Sequence, residues 1–499
     1  RICGFLSPDS RDTEAGLFNQ IDTMVDADIL GAVIEKFTSS DINLSPNPIY
    51  KDEAKTILKH PGLDNHGMGT IFEELIRKFN EENNEEAGEH WTPRDVVELM
   101  ADLVFMPIAD KIKDASYSCY DGACGTGGML TVAQDRLLTL AKRRGKEVAI
   151  HLFGQEINPE TYAICTADML LKGDGEEAEH IMYGSTLSDD QHASRQFDFM
   201  LSNPPYGKSW KTDAEKMGGK KEILDTRFNT YLEGGEVMQM LPSVRDGQLL
   251  FLLNNVAKMK KDTPIGSRIA EVHNGSSLFT GDAGSGESNA RRYLFENDLV
   301  EAIIALPDGM FYNTPLGTFI WVLSNKKSDK RKGKVQLINA TEMKASMWKN
   351  MGKKNAELSP DIRKEIVRIF MDMDESKISH VYGNEEFGHW RITVLQPLYD
   401  EVGSVIKDKK GRIQIDKTKT ETEIVPFTYP GGIDAYMKAE VLPYTPDAWI
   451  DEKKTQIGYE LTFTKYFFEP RPIRDIDAIA ADINDVIGQM SGVLSEVLS

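Results

Sequence analysis

Apolar residues recur every three or four positions near the start of the chain, at Ile21, Met24, Val25, Ile29, Leu30, Val33, Ile34 and Phe37. A second stripe, Met68, Ile71, Phe72, Leu75, Ile76 and Phe79, has the same period and ends in the acidic polar stretch 80–86. Both read as helices with core-facing stripes. From about residue 115 the pattern changes. The runs 117–121, 151–156, 197–202, 301–306, 318–324 and 334–338 read as strands, with helices between them, such as 127–143 and 247–260. Such alternation marks a doubly wound α/β domain. Residues 346–455 are polar, less periodic and rich in Lys and Glu, which predicts a mixed helical extension. A last stripe, Ile476, Ile479, Ile483, Ile487, Met490, Leu494 and Val497, follows Pro470 and Pro472. It predicts a long amphipathic helix, packed on its own domain or paired with a helix of another protein. The expected division is therefore a helical N-terminal domain (1–85), an α/β domain (86–345), the mixed extension (346–455) and a C-terminal segment with the long helix (456–499).

One strand ends unusually. Phe197-Asp198-Phe199-Met200-Leu201 reads as a buried parallel strand, and Asn203-Pro204-Pro205-Tyr206 follows it. Two prolines cannot extend a ladder, so the strand stops in a rigid turn. Open α/β sheets place their chemistry at the carboxyl ends of strands. The Asn203 side-chain oxygen and the Pro204 carbonyl are two fixed acceptors suited to a planar amino group. Tyr206 can stack on the ring that carries it. The plainer reading is an ordinary Asx-Pro turn.

A glycine-rich loop, Tyr120-Asp121-Gly122-Ala123-Cys124-Gly125-Thr126-Gly127-Gly128, follows the first predicted strand and opens a helix. Glycine lets backbone approach a ligand and take φ > 0. The spacing is neither G-x-G-x-x-G nor a phosphate-binding loop. Asp121 ends the first strand and Glu156 the second, where an acid in Rossmann-type domains bonds ribose hydroxyls.

Composition changes the picture in two respects. With 499 residues, 40% hydrophobic and 27% charged, the chain is globular, and no run approaches a membrane span. The formal net charge of −21 argues against gripping a nucleic acid backbone over the whole surface. Local basic clusters remain, at Lys208, Lys211, Lys216, Lys220 and Lys221, and at Lys326, Lys327, Lys330, Arg331, Lys332 and Lys334. Cys3, Cys119, Cys124 and Cys165 have no metal or disulfide spacing, which predicts no metal and a cytoplasmic setting. The chain opens on Arg1, and further residues are expected before it.

Taken in order, the glycine loop, Glu156 and Asn203-Pro204-Pro205-Tyr206 resemble the S-adenosylmethionine-dependent amino-methyltransferases. Gly88-Glu89-His90-Trp91-Thr92-Pro93-Arg94 narrows this, since it resembles a segment of the modification subunit of type I restriction-modification systems. So do 66–75, Val272-His273-Asn274-Gly275-Ser276, Phe279-Thr280-Gly281, Ala305-Leu306-Pro307 with Phe311-Tyr312, and Gly458-Tyr459-Glu460 with Phe463. The resemblance runs from about residue 60 to the end. It departs at Gly122, where proline is common, at His90, where an aromatic residue is usual, and at Tyr206, where Phe is also common. At Ser185 the family often carries Asp or Asn to hold the cofactor adenine.

The resemblance implies a Rossmann-like class I methyltransferase domain in 86–345 that transfers methyl from S-adenosylmethionine to the 6-amino group of adenine in DNA. Asn203, Pro204, Pro205 and Tyr206 would be catalytic. Glu89, His90, Trp91, Thr92, Pro93 and Arg94 would close over the methionine end of the cofactor. Asp121, Gly122, Gly125, Thr126, Gly127, Gly128 and Glu156 would hold the rest. It further implies base flipping, a separate specificity subunit clamped by two modification subunits, and a restriction subunit in the full complex. Cytosine N4, an amide in RNA or protein, and a non-catalytic scaffold are the rival readings.

Overall fold

The computed structural model describes residues 24–25, 28–45, 47–52, 55–63, 92–171, 175–312, 317–351, 353–468 and 475–498. Two compact units form, Arg1–Leu461 and Thr462–Ser499. The first is built on a nine-stranded sheet. In chain order its strands are β1 (Ala115–Asp121), β2 (Val148–Glu156), β3 (Ile181–Tyr183), β4 (Phe199–Ser202), β5 (Arg268–Asn274), β6 (Val300–Ala305), β7 (Thr318–Ser324), β8 (Lys334–Asn339) and β9 (Ser379–Gly383).

Across the sheet the order is 9-8-6-7-5-4-1-2-3. β1 to β5 run parallel to one another. β7 inserts between β5 and β6, antiparallel to both. The chain winds outward through β1, β2 and β3, then returns to lay β4 on the other side of β1. That reversal leaves a crevice at the carboxyl ends of β1 and β4, where such sheets bind ligands. Buried polar groups tie this junction. Asp198 Oδ2 accepts from Ser118 N at 2.8 Å, Ser118 Oγ at 2.9 Å and Lys260 Nζ at 2.6 Å.

Alternate strand residues face opposite cores. Ala270, Val272, Ile304 and Ile320 are buried with Val96 and Leu99 of helix Arg94–Phe105, Leu130 of helix Gly128–Arg143 and Ile366 of helix Pro360–Asp372. On the other face Glu271 accepts from Asn255 Nδ2 at 2.6 Å, on helix Gln248–Ala257. A smaller apolar cluster gathers Trp210, Phe228, Met240 and Leu250. Burial of such faces is the main stabilising term.

The structure corrects the expected divisions. β9 pairs with β8, so the sheet continues past 345 and an edge drawn there falls inside it. Beyond it Gly388–Leu395 pairs antiparallel with Glu421–Pro426, Trp449–Ile450 and Gln456–Tyr459 in a second sheet. The 346–455 stretch thus contains more strand than its polar composition predicts. In the N-terminal region a helix, Leu30–Phe37, is followed by a short hairpin of Ile49–Tyr50 with Leu58–His60. The stripe at 68–79 lies outside the described residues. In the second unit a helix spans Ile476–Leu498.

Two expected features have structural roles. The Gly458-Tyr459 pair is pinned from below, because Tyr459 O accepts from Arg291 Nε at 2.6 Å and Tyr459 N donates to Ser288 Oγ at 2.9 Å. The basic cluster at 326–334 is largely paired within the chain, in part at the surface. Lys327 pairs with Asp298 at 2.6 Å, Lys332 pairs with Asp329 at 2.6 Å, and buried Arg331 donates to Phe370 O.

Candidate active site

A cavity of about 360 Å³ opens at the carboxyl ends of β1 to β4. Its size suits a small-molecule ligand. Asp121, Gly122, Gly125, Thr126 and Gly128 line it, with Glu156 from β2, Thr92, and Asn203 and Pro205 after β4.

The glycine loop is shaped by its own backbone. Gly125 has φ +54° and Gly127 has φ +81°, in the left-handed region that favours glycine. Gly125 N donates to Glu156 Oε2 at 2.9 Å and Asn158 N to Oε1 at 2.8 Å. Each carboxylate oxygen keeps a further lone pair. Glu156 therefore orients the loop and can still accept from a ligand. The case for Gly127 differs from the sequence expectation. It does not line the cavity, and a Cβ there would lie 2.7 Å from Cys165 Sγ and 2.9 Å from Met169 Cε. Its small size fits the loop onto helix Pro159–Leu171.

Asp121 is 1% exposed and accepts through Oδ1 from Ser202 Oγ at 2.6 Å and Ala123 N at 3.0 Å. Burial pushes its carboxyl up to about 7, and nearby Glu156 and Glu271 push the same way.

Asn203 Nδ2 donates to Thr92 Oγ1 at 2.9 Å, which fixes the amide plane. Its Oδ1 is buried and accepts no hydrogen bond from any described residue. Leaving a buried acceptor unmet costs about 1–3 kcal/mol, so such an atom marks a place for a donor that arrives from outside. Pro205 reaches the cavity. Pro204 is buried and Tyr206 half-buried, and neither lines it. Burial pushes the Tyr206 phenol up to about 12, so it stays neutral.

The loop beyond Tyr206 is held firmly. Gly207 N donates to Asp246 Oδ1 at 3.1 Å, and Asp246 Oδ2 accepts from Gln248 Nε2 at 2.6 Å and Ser276 Oγ at 3.1 Å. Gln248 Nε2 also donates to Asn274 Oδ1 at 2.8 Å. The Asn274-Gly275-Ser276 motif thus braces the turn that carries Asn203.

Of the 88–94 segment, Thr92 enters the cavity, whereas Pro93 begins a helix and Arg94 reaches Glu98 at 3.3 Å along that helix. Glu89, His90 and Trp91 lie outside the described residues. Among the cavity residues that sequence reasoning missed are Ile157 and Asp213. Ile157 is 58% exposed despite its place directly after the buried end of β2. An apolar residue just beyond a strand-end acid was the available signal. Asp213 gave none. Among the described residues no group of three His, Cys, Asp or Glu side chains is placed to hold a metal ion, and no helix is long and apolar enough to cross a membrane.

Strand order 3-2-1-4-5 with a reversed β7 beside β5, and a cavity over the glycine loop, define a class I S-adenosylmethionine-dependent methyltransferase fold. The family model for N-6 DNA methylase matches residues 63–389. The chain belongs to that family. It is 27% identical over 320 residues to the type I restriction enzyme MjaIX methylase subunit of Methanocaldococcus jannaschii, covering 63% of this chain and 51% of that one. It is 28% identical over 318 residues to the MpnII methylase subunit of Mycoplasma pneumoniae, covering 62% and 52%. The chain thus spans about half the length of these relatives. Its fold matches a type I restriction-modification methyltransferase subunit from Streptococcus thermophilus at a TM-score of 0.50 and 24% identity, over 64% of this chain and 61% of that one.

Proposed function

We propose that this chain transfers a methyl group from S-adenosylmethionine to the 6-amino group of adenine in DNA, as the modification subunit of a type I restriction-modification system. The observation that carries the reading is the unmet acceptor, Asn203 Oδ1, at the end of β4 beside the cavity. An aromatic amine is a poor nucleophile because its lone pair is delocalised into the ring. A fixed acceptor draws on its N–H, favours a pyramidal nitrogen and holds it in line for attack. Thr92 and the braced turn keep Asn203 preorganised. The bound cofactor supplies an electrophilic methyl group on a sulfonium. Glu156, the Gly125 backbone and Thr126 would hold it.

The methylated base lies within a duplex and must be flipped out, with Tyr206 as its stacking partner. An acidic chain needs help on DNA, which favours a separate specificity subunit, with two modification subunits to each, and a restriction subunit in the complete assembly. The names of the relatives favour this assembly over a lone enzyme. The cytoplasm is the setting this implies.

The test is to co-express the chain with the specificity subunit encoded beside it and to map methylated bases in host DNA. N6-methyladenine at a defined sequence is expected. Asn203→Ala should lower methyl transfer by ~10²–10³ with cofactor affinity kept. N4-methylcytosine, or near-normal turnover by the variant, would overturn the reading.

A further inference from the structure

The position after β3 where the resembled family often carries Asp or Asn holds Ser185, and its hydroxyl is already saturated. It accepts from Leu187 N at 3.3 Å and Ser188 N at 3.4 Å and donates to Asp213 Oδ1 at 2.6 Å. Nothing is left on Ser185 for a ligand.

Asp213 is differently placed. Its Oδ1 takes the hydroxyls of Ser185 and Ser188, each at 2.6 Å. Its Oδ2 receives no hydrogen bond from any described residue, and Asp213 lines the cavity. One oxygen is anchored by two hydroxyls while the other is open to a donor. We propose that Asp213 takes the part that Ser185 cannot play after β3 and accepts a hydrogen bond from the amino group of the cofactor's adenine. This rests on the methyltransferase reading and adds the residue that reads the cofactor's base.

Sheet geometry supports the assignment. Ser185 follows β3, Glu156 ends β2, the glycine loop follows β1 and Asn203 follows β4. With strands ~4.8 Å apart, the ends of β3 and β4 are separated by roughly 14 Å. Asp213, tied to Ser185, therefore serves the end of the ligand away from the transferring methyl. Ile157 and Leu187 line the cavity there and offer apolar contact to a flat ring. A carboxylate only accepts, so it selects a 6-amino over a 6-oxo purine. The chain that carries Asn203 thus turns back over the cavity, and Asp213 lies on the short helix Lys211–Lys216.

The anchoring serines make the test sharp. In Asp213→Asn the same two hydroxyls would hold the amide oxygen and turn its NH₂ into the cavity, which reverses the polarity of the contact. Titration calorimetry of the full chain would use two probes, S-adenosylhomocysteine and S-inosylhomocysteine, in which a 6-oxo group replaces the amine. Wild type is expected to prefer the adenosyl probe by on the order of ten- to a hundredfold. Asp213→Asn should lose or invert that preference, and Asp213→Ala should bind both probes alike. The thermal midpoint of each apo variant gives the folding control. If Asp213→Asn fails to fold, Asp213→Ala decides. An unchanged preference in folded variants would overturn the role of Asp213 and leave the methyltransferase reading intact. Failure of wild type to bind either probe would overturn both.

Discussion

Asp121→Asn should make the protein more stable, by an amount that grows with pH. The Asp121 carboxyl is 1% exposed, and its folded-state pKa is pushed from 3.8 up to about 7, chiefly by burial. A group whose pKa is raised on folding favours the native state while both states hold the proton. That advantage is lost as pH rises through the folded value. Stability should therefore fall between about pH 4 and pH 7 and level off above. A shift of about three units corresponds to about 4 kcal/mol at most, at ~1.4 kcal/mol per unit. Asparagine keeps an oxygen for Ser202 Oγ and Ala123 N and matches the neutral acid in shape. It cannot ionise. Melting curves of wild type and variant should nearly coincide at about pH 4, separate steadily up to about pH 7 and hold that gap above, where the variant melts several degrees higher. Affinity for S-adenosylhomocysteine at neutral pH should change little, since the neutral form is the one imitated. Parallel melting curves, with a gap that does not depend on pH, would refute the reasoning and mean that Asp121 ionises freely in the folded protein.

Gly127→Ala should destabilise the fold by about 1–3 kcal/mol, because the new Cβ meets Cys165 and Met169 at a positive φ. Adding Cys165→Ala should recover part of the loss in the thermal midpoint, whereas an equal loss in both would place the cost in the backbone alone. Ile483 and Met490 are both more than half exposed on the C-terminal helix, and Ile483→Asp with Met490→Asp should abolish co-purification with a specificity subunit. Cofactor binding should survive, and retained assembly would remove this helix from the interface.

Much of the framework was legible because the chain writes it contiguously. β1, β2, β4, β6, β7 and β8 each overlap a run read as a strand from its apolar character, and the Asn203 turn and glycine loop are local words. β5 was harder, because Arg268, Glu271 and His273 look like loop chemistry. They are buried, with Arg268 paired to Glu301 at 2.5 Å and His273 to Glu271 at 2.8 Å. β3 is only three residues long, and β9 follows a polar stretch that suggested a domain had ended. In the site, Asp213 could not be read because its meaning comes from Ser185, 28 residues earlier in the chain. Gly127 carries a further constraint that could not be read, since it comes from a helix packed beneath the loop.

The return of the chain from β3 to β4 has a consequence for how the molecule assembles. β6 and β7 follow one another in the chain and pair antiparallel, a contact of low sequence separation that can form early. The β1–β4 junction instead unites segments 80 residues apart, as in the bond from Ser118 to Asp198. Contacts of such long sequence separation carry a large loop-closure cost and tend to form late. Asp121 and Asn203 line the cavity from the two sides of that junction, so the cavity comes into being only as the chain completes its search. Partly folded forms should lack it. A ligand that binds there would hold shut the seam least formed in the folding transition state, and so would slow unfolding far more than it speeds folding.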